Sequence, residues 1–303
     1  MSLLAVGSLA FDDLETPSGK RDHVLGGSVS YFSVSASHFH PVNVVAVAGE
    51  DFGEKEKKVF EGRPIDLSGL EYKSGKCFRW KGAYSENLNE AVTLETHLNV
   101  FQDFKPHLPE SFRTSEYLFL GNIAPELQLE VLQQMGKRPR WVALDTMNFW
   151  IHGAADALSK VLGQVDILLV NEGEARALSG ERNLVKVARK IQSMGPRVVV
   201  VKRGEYGALL FSESGTLAMP ALPLEEVVDP TGAGDTFAGG FLGYLAASGG
   251  TDLDAYRSAL LAGTVMASYT VQGFGLQGLA AASEEDVKKR AQAFSDTIRV
   301  NGL

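Results

Sequence analysis

The chain has 303 residues, 45% hydrophobic and 22% charged, with a formal net charge of −8. This is the composition of a globular protein long enough to bury a core, and its acidic balance argues against a nucleic-acid or anionic-membrane surface. The single cysteine, Cys77, excludes an internal disulfide and fits a reducing compartment; with no leader-like segment or membrane-length apolar run, a soluble cytoplasmic protein is expected.

Nearly continuous apolar runs of strand length recur at residues 3–6, 44–47, 117–120, 141–144, 167–170 and 198–201, as expected of strands buried on both faces. Helical patterns at 28–39, 125–135, 154–162 and 184–194 lie between them. The alternation predicts an α/β fold with a mostly parallel sheet between two helical layers. After Val201 the short runs 208–211, 216–219 and 225–228 predict an antiparallel edge, and helices at 235–247, 253–270 and 283–299 close the chain. Residues 72–101 break the rhythm: alternating apolar and basic residues in Cys77-Phe78-Arg79-Trp80-Lys81, then Val92-Thr93-Leu94, read as an inserted strand pair. No tandem histidine or cysteine spacing describes a metal site.

In open α/β sheets ligands gather beyond the carboxyl ends of the strands, so the residues just after each run are the candidates. After the first strand, Asp12 can accept two hydroxyl hydrogen bonds from a polyol, with Asp13 the adjacent alternative and a turn cap the plain reading. Ser28 reads as the N-cap of the following helix. After the strand at 141–144 stands the polar and aromatic cluster Asp145-Thr146-Met147-Asn148-Phe149-Trp150. Asn148 is assigned there to the substrate and phosphate side, and Phe149 and Trp150 to anchoring. Asn171 and Glu174 follow the next strand with capping-box spacing. Lys202 or Arg203 could face a polyphosphate, and Gly204 would let a nucleotide approach the backbone. The small residues around Gly263 suit either an adenine-facing wall or helix packing.

The most informative stretch runs from Asp229 through Pro230, Thr231, Gly232, Ala233 and Gly234 to Asp235 and Thr236. Pro230 ends the preceding extended segment. The glycines then open a helix whose first N–H groups lack partners and favour an anion. A carboxylate beside such an anion site is anomalous unless its charge is used. Asp235 is ionised at neutral pH by its ordinary pKa, and can take a proton from an attacking hydroxyl while the amides of Gly232, Ala233 and Gly234 hold a transferring phosphoryl group. No Gly-Lys-Ser/Thr follows, so the loop is not a Walker motif, and no dinucleotide fingerprint is completed.

This stretch resembles the C-terminal signature of the ribokinase-like (PfkB) carbohydrate kinases, and the resemblance extends in order from Gly7 to Gly275. It implies a single ribokinase-like domain over 1–303. It also implies a β lid from about 14–25 and 72–101 that doubles as a candidate dimer surface, and an ATP-dependent kinase acting on a sugar, polyol or nucleoside. Asp235 is then the base and Asp12 the sugar-binding acid. Gly26 and Gly27 resemble the substrate loop, and Tyr31 stands where ribokinase has an asparagine, which counts against ribose. Asp51 resembles a structural turn residue. Asn171 and Glu174 match the family's Asn-x-x-Glu motif, with Glu174 reaching Mg²⁺ through water. Thr231, Gly232, Gly234, Lys202, Gly204 and Gly263 fall to the nucleotide. A monovalent cation is compatible with this set. A nucleoside or inositol kinase, or an idle ligand-binding homologue, are the alternatives.

Overall fold

The structure, a computed structural model, describes residues 2–89 and 91–299; Glu90 of the expected lid, and positions 1 and 300–303 of the expected domain, lie outside the described residues. Thirteen strands are present among the described residues: β1 (Leu3–Val6), β2 (Ala10–Thr16), β3 (Gly19–Gly26), β4 (Val42–Ala48), β5 (Ile65–Tyr72), β6 (Phe78–Tyr84), β7 (Ala91–His97), β8 (Tyr117–Leu120), β9 (Trp141–Asp145), β10 (Ile167–Asn171), β11 (Val198–Lys202), β12 (Ala208–Ser212) and β13 (Gly215–Met219). The helices are α1 (Ser28–Ala36), α2 (Glu54–Lys57), α3 (Pro125–Gln134), α4 (Asn148–Gly153), α5 (Ala155–Leu162), α6 (Glu172–Ser179), α7 (Leu184–Gln192), α8 (Ala233–Ser248), α9 (Leu253–Thr270), α10 (Gln277–Ala281) and α11 (Glu284–Thr297).

Nine strands form one sheet in the order β13-β12-β11-β10-β9-β8-β1-β4-β5, and β3-β2-β6-β7 form a second, smaller one. From β5 to β11 every neighbouring pair in the large sheet is parallel, and β12 and β13 add an antiparallel edge. The continuous apolar runs have a direct cause. Side chains alternate across a strand, so Leu3 and Ala5 enter the core under α1, α8 and α9, while Leu4 and Val6 enter the core under α3, α5 and α7. The valines of β11 divide the same way, Val198 and Val200 to one side, Val199 and Val201 to the other. A sheet sandwiched between helices needs apolar residues at every position, and this chain supplies them.

Two local expectations are corrected. Residues 225–228 are not a strand: the Val228 N–H donates to Val271 O (2.7 Å), and the Val228 carbonyl accepts from Thr16 Oγ1 (2.8 Å). With its backbone engaged by the segment after α9 and by the small sheet, this stretch has no sheet edge to join. Ser28 is not an N-cap either; Gly27 holds that position. Ser28 and Ser8 instead exchange backbone-to-hydroxyl bonds (3.0 and 3.1 Å), which lock α1 onto the turn after β1. Strand β5 escapes the apolar-run pattern because it is an edge strand carrying Asp66, Ser68 and Glu71.

Candidate active site

The turn from Asp229 to α8 lies at the carboxyl side of the large sheet and is built by hydrogen bonding. Asp229 is fully buried, and its carboxylate accepts from Thr231 N (3.0 Å) and Gly275 N (3.1 Å), pinning the loop to the segment after α9. Gly232 has φ 75°, a left-handed conformation that glycine adopts without penalty, and a Cβ there would enter the ring of Tyr31. Helix α8 then begins. Its Ala233 N–H turns back to Pro230 O (3.1 Å) and the Thr236 N–H bonds Gly232 O (2.8 Å), while Gly234 and Asp235 bring two further N–H groups to the first turn, where helices bind anions.

Beneath this turn sits a cluster of charge. The Lys202 ammonium, at the end of β11, donates to Asp145 Oδ2 at the end of β9 (2.9 Å) and lies 2.9 Å from where a Cβ on Gly234 would stand. Between these two strands, β10 delivers Asn171, whose register partner is Lys202. Asn171 Oδ1 accepts from Glu174 N and Glu174 Oε2 accepts from Asn171 N (both 2.8 Å), a complete capping box. Burial, reinforced by Asp145 and opposed by Lys202, raises the Asp235 carboxyl to about 7; the same balance raises Glu174 to about 7. For Lys202 burial acts to lower the ammonium pKa, and Asp145 and Glu174 overcome it, so the net shift is upward and the charge is held firmly. One ammonium therefore faces three carboxyl groups, those of Asp145, Glu174 and Asp235.

The small sheet covers this floor. Asp12 and Asp13 are consecutive on β2 and so point to opposite faces. Asp13 is bound to Arg79 (2.6 Å) and accepts from His23 N (2.8 Å) on the outer face. Asp12 is buried and lies over Gly26; desolvation first, then Asp229 and Asp235, push its pKa up strongly. Of the two adjacent acids, Asp12 is the one whose charge acts on the glycine turn. Tyr31 is also fully buried, with no hydrogen-bond partner for its hydroxyl among the described residues, and the same three acids raise its pKa after burial itself. Three contacts tie the cover down: Tyr84 OH accepts from Thr231 Oγ1 (3.2 Å), Thr16 bonds Val228 O, and Asn89 reaches the space over Gly204.

Other candidates fall elsewhere. Gly263 is buried in the α8–α9 contact, 2.8 Å (measured from a Cβ) from Phe237 O, so its small size serves helix packing. Asn148 is exposed at the first position of α4 and makes no hydrogen bond among the described residues. Phe149 is not an anchor: it is 65% exposed, whereas Trp150 donates Nε1 to Asn122 Oδ1 (3.0 Å). Arg203 is paired with Glu172 (2.7 Å), leaving Lys202 as the cation beneath the glycine turn. Asp145 and Asp229 are the residues whose part in this site the sequence reading did not assign. Both stand directly after an extended segment at the carboxyl side of the sheet, the one signal that could have singled them out.

The site is compatible with a nucleotide and Mg²⁺. The Gly234 cradle already holds an ammonium where a phosphoryl group would need one, and Glu174 spends one carboxylate oxygen on its cap, leaving the other for a water of the ion's shell.

A mostly parallel sheet between helices, a small covering sheet and an acid-bearing glycine turn at a helix N-terminus define a ribokinase-like kinase. Comparison with known proteins bears on the same conclusion. Residues 23–282 match the model of the pfkB family carbohydrate kinases. A cytidine kinase of Thermococcus kodakarensis is 32% identical over 247 residues, covering 80% of this chain and 87% of the relative. Among solved structures, a nucleoside kinase of Burkholderia thailandensis in complex with inosine superposes with a TM-score of 0.78 at 18% identity, covering 97% of this chain and 98% of that one. A ribokinase of Thermotoga maritima superposes with a TM-score of 0.74 at 21% identity, covering 96% and 99%. The chain belongs to the pfkB family of carbohydrate kinases, phosphotransferases with an alcohol group as acceptor.

Proposed function

We propose that the protein transfers the γ-phosphoryl group of ATP to a hydroxyl of a small sugar-containing substrate, with Asp235 as the base. The observation that carries this reading is the placement of Asp235 in the first turn of α8, beside a glycine turn with Lys202 beneath it and Asp12 opposite. Asp12 accepts hydrogen bonds from substrate hydroxyls and fixes the acceptor. Asp235 takes the proton of the attacking hydroxyl, and its raised pKa brings it close to the operating pH, where a base works best. The N–H groups of Gly232 and Gly234 and the Lys202 ammonium hold charge on the transferring group, the Ala233 N–H being engaged by Pro230 O. When bound, ATP with Mg²⁺ supplies that group and the neutralising cation. Asn171 and Glu174 orient the phosphate side, and the small sheet excludes water as a competing acceptor.

A nucleoside is the second reading of the acceptor, favoured by the names of the cytidine kinase and nucleoside kinase relatives. The reading is tested by ADP release and acceptor phosphorylation with Mg-ATP in wild type and Asp235→Asn. Loss of turnover with retained ATP binding supports it. Equal turnover in the variant removes Asp235 as base, and retained ligand binding without turnover in the wild type would leave a non-catalytic homologue.

A further inference from the structure

The inner face of the small sheet carries a feature that a site for a bare sugar does not require. Along β6 the residues Phe78, Trp80, Gly82 and Tyr84 share one face, and Tyr84 fixes that face toward the glycine turn through Thr231. On the neighbouring strand Asp12 is the register partner of Trp80, so acid and indole stand side by side on this face. The indole does not stand upright. It lies along the sheet over Gly82, where any Cβ would enter the ring, and its Nε1 donates to Thr93 Oγ1 of β7 (3.1 Å). Gly82 is buried beneath it while Trp80 is half-buried, so one face of the plate is seated and the other remains accessible.

A tryptophan folded onto a glycine and tethered at its edge is a rigid, flat surface with two of its degrees of freedom already fixed. From Asp12 on β2 to the tether on β7 is two strand spacings across the sheet and two residues along it, about 12 Å. A ligand that engages both ends has hydroxyls at one end and a flat apolar ring at the other. Aromatic plates prefer planar π-systems in offset stacking, and every heterocyclic base offers such a face.

We infer that Trp80 stacks on the base of a nucleoside whose ribose hydroxyls are held by Asp12. This rests on the kinase reading above and narrows its acceptor to a ribonucleoside. Trp80 then sets specificity through binding and takes no part in proton or phosphoryl transfer.

The experiment measures phosphorylation of cytidine, adenosine, inosine, ribose and fructose by the full-length protein, wild type and Trp80→Ala, Trp80→Phe and Gly82→Ala. At least one nucleoside should be a far better acceptor than either sugar. Trp80→Ala should raise its KM roughly ten- to hundredfold, the range of a lost base–aromatic stack, with the KM for ATP unchanged. Trp80→Phe should recover most of the loss. Gly82→Ala, which keeps the indole but unseats it, should raise the nucleoside KM as well. Independently, the preferred nucleoside should quench tryptophan fluorescence in the wild type and do so far less in Trp80→Phe, where Trp141 and Trp150 remain. A sugar phosphorylated as well as any nucleoside, or a nucleoside KM indifferent to Trp80→Ala, would overturn the inference and leave the kinase intact. No turnover of any acceptor would overturn the kinase reading, and the quench would then decide separately whether Trp80 meets a nucleoside.

Discussion

Asp235 is the base of the proposed reaction, and its surroundings make its behaviour predictable. Asp235→Asn should leave ATP affinity near the wild-type value and reduce kcat by about 10²–10⁴, the range for loss of a general base. Because burial lifts its pKa to about 7, the ionised, active form accumulates as pH rises, so kcat/KM for the acceptor should climb through pH 7 and level off above it. Lys202 lowers that pKa and Asp145 raises it. Lys202→Met should therefore move the acidic limb to higher pH, and Asp145→Asn should move it to lower pH; limbs that stay put in both would remove this cluster as the tuner. Stability follows the same sign. The folded state binds the Asp235 proton more tightly than the unfolded chain does, so its contribution is present below the unfolded value near 3.8 and is lost as pH rises toward 7. The melting temperature of Asp235→Asn relative to wild type should thus be higher at pH 8 than at pH 5. Among single residues, Asp235 and the loop glycines were legible in the sequence because a long, unusual string encodes them. Asp145 and Asp229 were not, because an Asp at the end of an extended segment gives no sign of which cation or amide it will meet.

At the scale of elements, α6 separates two uses of the same residues. Asn171 and Glu174 form a complete capping box and stand beside Lys202, so they stabilise a helix at the side the proposed reaction gives to the phosphates. Asn171→Ala should cost about 1 kcal/mol, the usual worth of such a cap, and lower the melting temperature by about 2 °C. Asn171→Asp keeps the capping oxygen but not the amide. It should restore stability while leaving the KM for ATP raised; a variant normal in both would reduce Asn171 to a cap. The β strands that pack on both faces were readable because their apolar runs are continuous. Strand β5 went unpredicted and the segment 225–228 was misread for one reason: strand formation at an edge depends on which neighbour the backbone finds. Val228 finds Val271 and Thr16 rather than a sheet.

Across the whole molecule the small sheet and the large one meet at the glycine turn. Thr16 bonds Val228, Tyr84 meets Thr231 and Asn89 reaches Gly204, so the cover touches the acceptor side and the phosphate side together. Tyr84→Phe combined with Thr16→Val should loosen the cover and raise ATP hydrolysis relative to acceptor phosphorylation, since water would then enter the site. An unchanged ratio would mean that these contacts do not seal it. The family resemblance implied a β lid from about 14–25 and 72–101, and the small sheet is there; the contacts that hold it to the turn were not legible, because they involve single hydroxyls with no periodic signature. Among the described residues no helix is long and apolar enough to cross a membrane.

In the proposed reaction this site moves a phosphoryl group to a hydroxyl with Asp235 as the base. The most direct measurement is ADP release coupled to detection of phosphorylated acceptor, across nucleosides and sugars, in wild type and Asp235→Asn. Mg-ATP-dependent product is expected with at least one acceptor, falling by at least about 10² in the variant while ATP still binds. Product formed equally fast by the variant would contradict it.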